Sequence, residues 1–327
     1  MKAITYDSYG SPDVLKIEEV QRPTPKDDEV LVKIHAASVN ASDWHTLRGT
    51  PFLFRLMNGL LKPKQKAKIL GDDMAGRVEA VGKNVKQFQP GDEVFGTCNF
   101  GAFAEYVCVP KTDWLAPKPD NISFEMAAAT PIAAITALQG LGVQGQIQPG
   151  EKVLINGASG GVGTFAVQIA KSFGAEVTGV CSTKKMDKLS ALGADRVIDY
   201  TQEDFTKSGH TYDLIFATGG DHPLWDYMRA LSPTGQYICV GGSSAQYFQA
   251  LLLGSLVSML GRKKLGVVLP RPNQKDLIFL MKLVETGKVI PVIDRSYPLH
   301  ETGAAIRHLE KGDAFGKVII TVQQENS

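Results

Sequence analysis

Three glycines at regular spacing, Gly157, Gly160 and Gly163, mark the stretch of this sequence whose chemistry is easiest to interpret. They lie between an apolar run typical of a buried strand, Val153–Ile155, and a helical pattern over 164–173. Such a turn lets the backbone approach the pyrophosphate of a dinucleotide, and the helix N-terminus offers N–H groups and a positive dipole. The sequence therefore predicts dinucleotide contacts from Ser159, Gly160, Gly161 and Val162.

Ala158 departs from the usual pattern, because it replaces the first glycine of a strict G-x-G-x-x-G motif. An ordinary tight turn between a strand and a helix is the alternative interpretation. The strand at 153–155, the helix at 164–173 and a second β-rich run at 175–180 together favour the dinucleotide site.

The second strand of this unit ends in hydroxyl and ammonium side chains. A site selective for NAD usually carries Asp or Glu here, which bonds the ribose 2′-hydroxyl. This chain has Ser182, Thr183, Lys184 and Lys185, and such groups suit a 2′-phosphate. A solvated first helical turn is the alternative, although cations are unfavourable at a helix N-terminus. We therefore predict NADPH as the cofactor, bound through Ser182, Thr183 and Lys185.

The elements that must position these groups alternate between strand and helix from Lys152 onward, which predicts a doubly wound parallel sheet, the Rossmann arrangement. Residues 1–125 instead show short β runs separated by turn signals, as in a partly closed barrel. We predict a dinucleotide-binding domain over 126–270 and a mostly β domain formed by 1–125 and 271–327. The predicted elements of the α/β region are strands 152–156, 175–180, 196–199, 213–217, 235–240 and 267–269, and helices 164–173, 184–192 and 223–231.

Composition points to a small-molecule partner. The chain has 327 residues, a net charge of +1 and 43% hydrophobic residues, so it has no general attraction to nucleic acid or anionic membranes. The basic run 62–68 lacks the interleaved aromatic residues of a nucleic-acid site. Neither a run of about 18 apolar residues nor a signal segment is present, so we expect a cytoplasmic protein. The scattered cysteines predict neither a disulfide framework nor a cysteine-rich zinc site: Cys98, Cys108, Cys181 and Cys239.

Nearly the whole chain resembles the medium-chain dehydrogenase/reductase superfamily, in its zinc-independent quinone oxidoreductase (zeta-crystallin-like) branch. The resemblance implies an α/β fold with a Rossmann domain inserted in a GroES-like catalytic domain. The blocks that carry it are Gly71–Gly82, Pro90–Val94, Ala128–Leu141, the glycine turn 156–163, Leu192–Asp195 and Asp199–Tyr200.

The zinc-dependent relatives use a Cys where this chain has Asn40, and a His-Glu pair where it has Asp72 and Asp73. Zinc prefers thiolate and imidazole ligands, so two carboxylates make a poor site and we predict no metal. A carboxylate-bound metal is one alternative, and a purely structural role for the two aspartates is another.

The resemblance places Asn40 near the nicotinamide, where its amide suits a developing oxyanion. His45 could donate a proton, because relatives often carry a Tyr at or near this position; a solvated His with water as the proton source is the alternative. Trp44 could shape a flat substrate pocket or simply pack in the core. The remaining cofactor contacts implied by the resemblance are Thr130, Lys185, Tyr200, Gly241, Gly242, Ser243 and Lys317, of which Lys317 could equally be a surface residue.

These observations predict an NADPH-dependent enzyme that transfers hydride to a quinone or an α,β-unsaturated carbonyl compound without a metal. Alcohol dehydrogenase activity, possibly assisted by a metal, is one alternative, and a catalytically silent NADPH-binding protein is another. Relatives pair an edge strand across a two-fold axis, which predicts a homodimer through Leu265–Leu269.

Overall fold

In the computed structural model, the described residues are 1–52, 55–56, 59–63, 68–110, 112–241, 249 and 262–322. They form two compact units. Unit 1 comprises Met1–Ile132, Pro272–Glu285 and Pro291–Ser327, and unit 2 comprises Ala133–Arg271 and Thr286–Ile290.

The described ranges contain both strands and α-helices, and the strands are numbered in chain order. The strands are β1 (Lys2–Thr5), β2 (Lys16–Glu19), β3 (Val30–Val39), β4 (Asp73–Val81), β5 (Glu93–Thr97), β6 (Tyr106–Val109), β7 (Leu115–Pro117), β8 (Lys152–Asn156), β9 (Glu176–Cys181), β10 (Arg196–Asp199), β11 (Tyr212–Ala217), β12 (Leu231–Cys239), β13 (Lys264–Val267), β14 (Ile293–Pro298) and β15 (Lys317–Thr321). The α-helices are Ala41–Arg48, Phe124–Ala129, Pro131–Leu138, Gly161–Ser172, Met186–Ala191, Leu224–Ala230, Gln274–Glu285 and Thr302–Glu310.

Unit 1 is organised around β3, which is apolar along most of its ten residues and largely buried. Strand β3 pairs antiparallel with β4 on one side, and with β6 and the C-terminal β15 on the other. The sheet runs in the order β14-β15-β3-β4-β5-β7. The C-terminal strand thus pairs with the N-terminal region, and this pairing brings Lys317 beside the end of β3.

Residues 126–132, which we assigned to the dinucleotide domain, lie in unit 1. The helix Phe124–Ala129 packs against β3 and β4, because its alanines are small enough to be fully buried there. Residues 286–290, assigned to the β-rich domain, lie in unit 2, where the Ile290 backbone exchanges hydrogen bonds with the Gln168 side chain.

Unit 2 contains the predicted doubly wound sheet. Its strands are all parallel, in the order β10-β9-β8-β11-β12-β13. The strand order reverses between β8 and β11, so the crevice beyond their carboxyl ends is the place where such sheets bind ligands. Strands β8 and β11, on either side of this crevice, are apolar and largely buried, as expected for parallel strands covered on both faces.

The boundaries of some elements differ from those predicted. The sixth strand is Lys264–Val267 instead of 267–269, because it ends in register with its partner β12. The sequence predicts a helix over 132–141, but the α-helix spans Pro131–Leu138 and continues as a π-helical turn, Gln139–Gln144, in which two glycines weaken regular helix. None of the helices in the described ranges combines the length and the apolar character needed to cross a bilayer.

Candidate active site

Asn40 lies at the junction between β3 and the helix Ala41–Arg48 in unit 1. Its Nδ2 donates to Asp73 Oδ2 at 2.9 Å, and its Oδ1 accepts from Lys317 Nζ at 2.5 Å. Asp73 begins β4 and Lys317 begins β15, and these strands flank β3. Sheet register thus brings together three residues that are far apart in the sequence, two of which we predicted as site residues.

The two adjacent aspartates serve different neighbours. Asp73 also accepts from Ser38 Oγ and from the Ile132 N–H, each at 3.1 Å. Asp72 accepts from Ser42 Oγ at 3.2 Å and from the Phe100 N–H at 2.9 Å, which holds the loop after β5. Apart from Asn40 and Lys317, which contact Asp73, the partners are hydroxyls and backbone N–H groups, and these hydrogen bonds tie both carboxylates into the folded cluster.

Asp43 is a further buried member of this cluster, and it was not among the predicted residues. Its Oδ2 accepts from the Asn40 N–H at 2.7 Å and its Oδ1 accepts from the Gly71 N–H at 3.0 Å. Asp43 stands three residues after Asn40 at a helix start, a spacing resembling a capping box that could have indicated it.

Burial dominates the electrostatics of this cluster. It raises the pKa of Asp43 well above the usual range, and the charge of Asp72 raises it further. Burial also raises the pKa of Asp72 and of Asp73, the latter opposed by the Lys317 ammonium. The pKa of Lys317 is lowered by burial and raised by Asp73. The aspartates and Lys317 therefore depend on each other for charge compensation.

His45 lies on the same helix, but its ring is already engaged. Its Nδ1 is 2.7 Å from the Thr50 carbonyl oxygen, which can only accept, so Nδ1 carries a proton. Burial lowers the pKa of His45, which favours the neutral ring with Nε2 as an acceptor. This geometry does not support the proton-donor role that we predicted. Trp44 stacks on His45 at a centroid distance of 3.6 Å and packs against the core of unit 1.

Thr130 is fully buried within unit 1. Its hydroxyl donates to the Met126 carbonyl at 2.8 Å, at the C-terminal end of the helix Phe124–Ala129. The predicted contact with a nicotinamide ribose stays a prediction, and in this structure the hydroxyl stabilises the helix end.

The glycine turn of unit 2 has the form expected for a pyrophosphate cradle. Gly157 has a φ of +82°, and Gly160 is the N-cap of the helix Gly161–Ser172, whose first turn contains no acidic residue. A Cβ at Gly163 would lie 2.2 Å from the Gly157 carbonyl oxygen, so only glycine allows the helix to approach the turn this closely. Ala158 is buried, so its methyl group points away from the exposed part of the turn. Ser159, Gly160, Gly161 and Val162 are partly exposed at the helix N-terminus, where a phosphate would find the orphan N–H groups.

A second set of residues, also absent from the prediction, fixes the point where the strand order reverses. The Thr218 hydroxyl lies 3.1 Å from the Asn156 carbonyl and 3.0 Å from the Gly157 carbonyl. Asn156 Nδ2 donates to the Tyr227 hydroxyl at 2.8 Å. In the sequence, the run of small residues after β11, Thr218 to Gly220, could have indicated this turn. Gly241 follows β12 and its N–H donates to the Ala217 carbonyl at 3.2 Å, whereas Gly242 and Ser243 lie outside the described residues.

Asp199 also lies beside the residues predicted to bind the 2′-phosphate, although the sequence at the end of the second strand gives no indication of it. Asp199, at the end of β10, is 2.5 Å from Thr183 Oγ1, which donates to it. The Thr201 N–H and hydroxyl also donate to Asp199, at 2.9 and 2.8 Å. The carboxylate is 7% exposed and has three donors, so it orders this edge of the sheet. Ser182 and Lys185 are half-buried beside Thr183, and the Tyr200 side chain is exposed.

Comparison with known proteins places this geometry in a family. Residues 26–120 match the alcohol dehydrogenase GroES-like domain, and residues 192–320 match the zinc-binding dehydrogenase family. The chain is 35% identical over 335 residues to the chloroplastic quinone-oxidoreductase homolog of Spinacia oleracea, covering 98% of both chains. The chain belongs to the medium-chain dehydrogenase/reductase superfamily, in its quinone oxidoreductase branch.

Two further relatives support this family assignment. The chain is 33% identical over 336 residues to the chloroplastic NADPH-dependent alkenal/one oxidoreductase of Arabidopsis thaliana, covering 98% of this chain and 79% of that protein. The solved structure of the quinone oxidoreductase from Coxiella burnetii superposes with a TM-score of 0.88 at 33% identity, covering 99% of both chains.

The name of the zinc-binding dehydrogenase family raises the question of whether this member could hold zinc. At the positions of the zinc ligands, the oxygens of Asp72 and Asp73 already accept hydrogen bonds, and the Lys317 ammonium lies 3.6 Å from Asp73 Oδ2. A divalent ion there would face this ammonium at close range. Across the residues that the structure describes, no group of three or more His, Cys, Asp or Glu could hold a metal ion. The side chains present do not fit zinc.

Proposed function

We propose that this protein reduces quinones or α,β-unsaturated carbonyl compounds with NADPH and without a metal. The observation that carries the proposal is the buried Asn40 amide, held between Asp73 and Lys317 where zinc-dependent relatives have a thiolate ligand. An amide N–H stabilises a developing oxyanion but does not acidify an alcohol as a metal does. The names of the relatives, a quinone-oxidoreductase homolog and an alkenal/one oxidoreductase, support the same reaction class.

The glycine turn and the ends of β9 and β10 would hold the cofactor in unit 2. When bound, NADPH supplies the hydride that adds to an electron-poor carbon. The open backbone at Gly160 and the N-terminus of the helix Gly161–Ser172 suit the pyrophosphate. Lys185 supplies a cation for the 2′-phosphate, and Asp199 keeps the Thr183 hydroxyl ordered beside it. These features favour NADPH over NADH.

The reacting oxygen of the acceptor becomes negatively charged when hydride is added to a conjugated carbon. We assign its stabilisation to the Nδ2–H of Asn40, since removing one such donor typically costs about 10²–10³-fold in kcat. Water supplies the proton in this proposal, because Nδ1–H of His45 is committed to the Thr50 carbonyl.

Steady-state turnover on a panel of quinones, enones and alcohols, with NADPH and NADH, tests the proposal. The purified protein is first treated with EDTA and its metal content is measured by elemental analysis. We expect reduction of quinones or enones, preference for NADPH, and no loss on chelation. Loss of activity with chelator would reject the metal-free reaction, and alcohol oxidation alone would favour alcohol dehydrogenase chemistry. NADPH binding by fluorescence without turnover on any acceptor would identify a silent cofactor-binding protein.

The homodimer predicted above belongs to the same proposal. Among the described strands, β13 is at the edge of its sheet, and Leu269 just beyond it is 65% exposed. An exposed edge and an apolar side chain suit pairing with a second copy. Light scattering should give a dimer for the wild type and a monomer for Leu269→Glu, with Ile278→Glu, also exposed but in unit 1, as the control. A monomeric wild type would reject the dimer.

A further inference from the structure

Lys317 is an unusually placed cation, because its side chain is only 2% exposed. It begins β15, and the register Val318↔Val39 sets it opposite Asn40. Its Nζ lies 2.5 Å from Asn40 Oδ1 and 3.6 Å from Asp73 Oδ2. The ammonium thus reaches the amide oxygen directly, and the carboxylate at a longer distance.

The partners on either side determine which way the Asn40 amide points. A lysine ammonium can only donate, so it must face Oδ1, and an ionised carboxylate can only accept, so Asp73 must face Nδ2. A flipped amide would set the ammonium against an NH₂ group and the carboxylate against an oxygen. Both contacts of the flipped form are repulsive, and the observed orientation is strongly preferred.

This orientation leaves one donor available. The Nδ2 group has two N–H bonds, one of which is used by Asp73. The second Nδ2–H is bonded to none of the described residues, and the Asn40 residue is buried, with 8% of its surface exposed. A cation on the amide oxygen also withdraws electron density from the nitrogen and strengthens its N–H as a donor, as in other hydrogen-bonded chains.

We propose that Lys317 is a positioning residue for Asn40: its ammonium holds and polarises the amide so that the remaining Nδ2–H is presented to the oxyanion. This inference rests on the proposed reductase function. It assigns Lys317 to the amide instead of to the cofactor contact predicted from the resemblance, and it explains why a lysine is buried among aspartates.

A double-mutant cycle tests the inference, since it separates action through Asn40 from independent action. We expect Asn40→Ala to lower kcat on a quinone or enone about 100-fold and Lys317→Met about 10-fold, with the KM for NADPH unchanged. In the Asn40→Ala background, Lys317→Met should have no further effect, because its target is gone. Lys317→Arg, which keeps the charge and the donors, should recover part of the loss. A further 10-fold loss in the Asn40→Ala background would overturn the proposal, as would a raised KM for NADPH.

Lys317→Met leaves Asp73 as an unpaired buried charge and could prevent folding. The paired variant Asp73→Asn/Lys317→Met removes both charges, and the carboxamide introduced at position 73 could still accept from Asn40 through its carbonyl oxygen. We expect the same 10-fold loss in kcat from this pair, and wild-type activity in it would also overturn the proposal.

A measurement independent of activity separates this inference from the proposed function. The ¹⁵N side-chain amide resonances of Asn40 should be shifted and slow to exchange in the wild type, and should move toward ordinary values in Lys317→Met. Unchanged resonances would contradict the contact. Failure of the wild type to reduce any acceptor would reject the reductase function but leave this spectroscopic result standing.

Discussion

Two glycines of the turn in unit 2 are expected to fail in different ways when they are replaced by alanine. At Gly163 a Cβ would lie 2.2 Å from the Gly157 carbonyl oxygen and 2.7 Å from the Ala158 backbone. Ordinary contacts begin near 3.4 Å, so the helix Gly161–Ser172 would have to move by about 1 Å. Overpacking of this kind costs about 1–3 kcal/mol. At about 2–4 °C per kcal/mol for a unit of this size, Gly163→Ala should lower the Tm by roughly 2–12 °C.

At Gly160 the same added methyl group meets little of the protein. Its nearest neighbour would be the Gly157 carbonyl oxygen at 3.5 Å, and the φ of −79° is accessible to alanine. The unfolding free energy should therefore fall by less than about 1 kcal/mol, the cost of a poorer N-cap. The methyl group would instead occupy the space through which a pyrophosphate approaches the backbone. We expect NADPH affinity to fall at least about tenfold, or about 1.4 kcal/mol.

Thermal melts with and without NADPH, together with fluorescence titration of NADPH, measure both effects. The wild type and Gly160→Ala should melt at similar temperatures without cofactor, but only the wild type should gain the full stabilisation that bound cofactor provides. Wild-type NADPH affinity in Gly160→Ala would refute the cradle at this glycine. Wild-type stability in Gly163→Ala would refute the clash on which the close packing of helix and turn depends.

Three further outcomes follow from the site. Lys185→Glu should raise the apparent KM for NADPH more than that for NADH, with the exposed Lys184→Glu as the matched control; equal effects on the two cofactors would reject the phosphate contact. His45→Phe should keep kcat within about threefold, because the ring donates to the Thr50 carbonyl, and a loss near the 10²–10⁴-fold typical of a general acid would restore its catalytic role. Burial raises the pKa of Asp43, so the folded carboxyl holds its proton to a higher pH than the unfolded one, which releases it above about pH 4. The unfolding free energy that this carboxyl contributes therefore declines as the pH rises from there, and Asp43→Asn should make the fall in Tm between about pH 4 and pH 7 shallower than in the wild type. Equal slopes would contradict the raised pKa.

Local patterns in the sequence predict the α/β unit well. The buried strand before Gly157, the glycine spacing and the following helical periodicity are short-range features, and the strand–helix alternation after them predicts the parallel sheet. The strand order, with its reversal between β8 and β11, comes from the structure. The errors are at element ends. Sequence reasoning starts the strand Lys264–Val267 three residues too late, because the register with β12 decides where the strand lies.

The polar cluster of unit 1 is less accessible to sequence reasoning. The family resemblance, and no local pattern, points to Asn40 and Lys317, and it predicts a cofactor contact for Lys317. Asp43 was missed although its spacing from Asn40 resembles a helix-start signal. Sequence reasoning misses Asp199 as a partner of Thr183, because Asp199 ends β10 and Thr183 follows β9, and the two strands meet only in the folded sheet.

The sequence by itself determined most of the elements and the dinucleotide turn, since residue types and short spacings are enough for each. Its family resemblance indicated the loss of the thiolate and imidazole that zinc would need. Only the tertiary structure decided which groups surround Asn40, the residue at the position of the zinc-binding thiolate. The antiparallel pairing of β15 with β3 and of β3 with β4 brings Lys317 and Asp73 to opposite sides of one amide, and the low dielectric of the interior makes their charges fix its orientation. Pairing across 277 positions of sequence is a property of the folded sheet, and no local pattern encodes it.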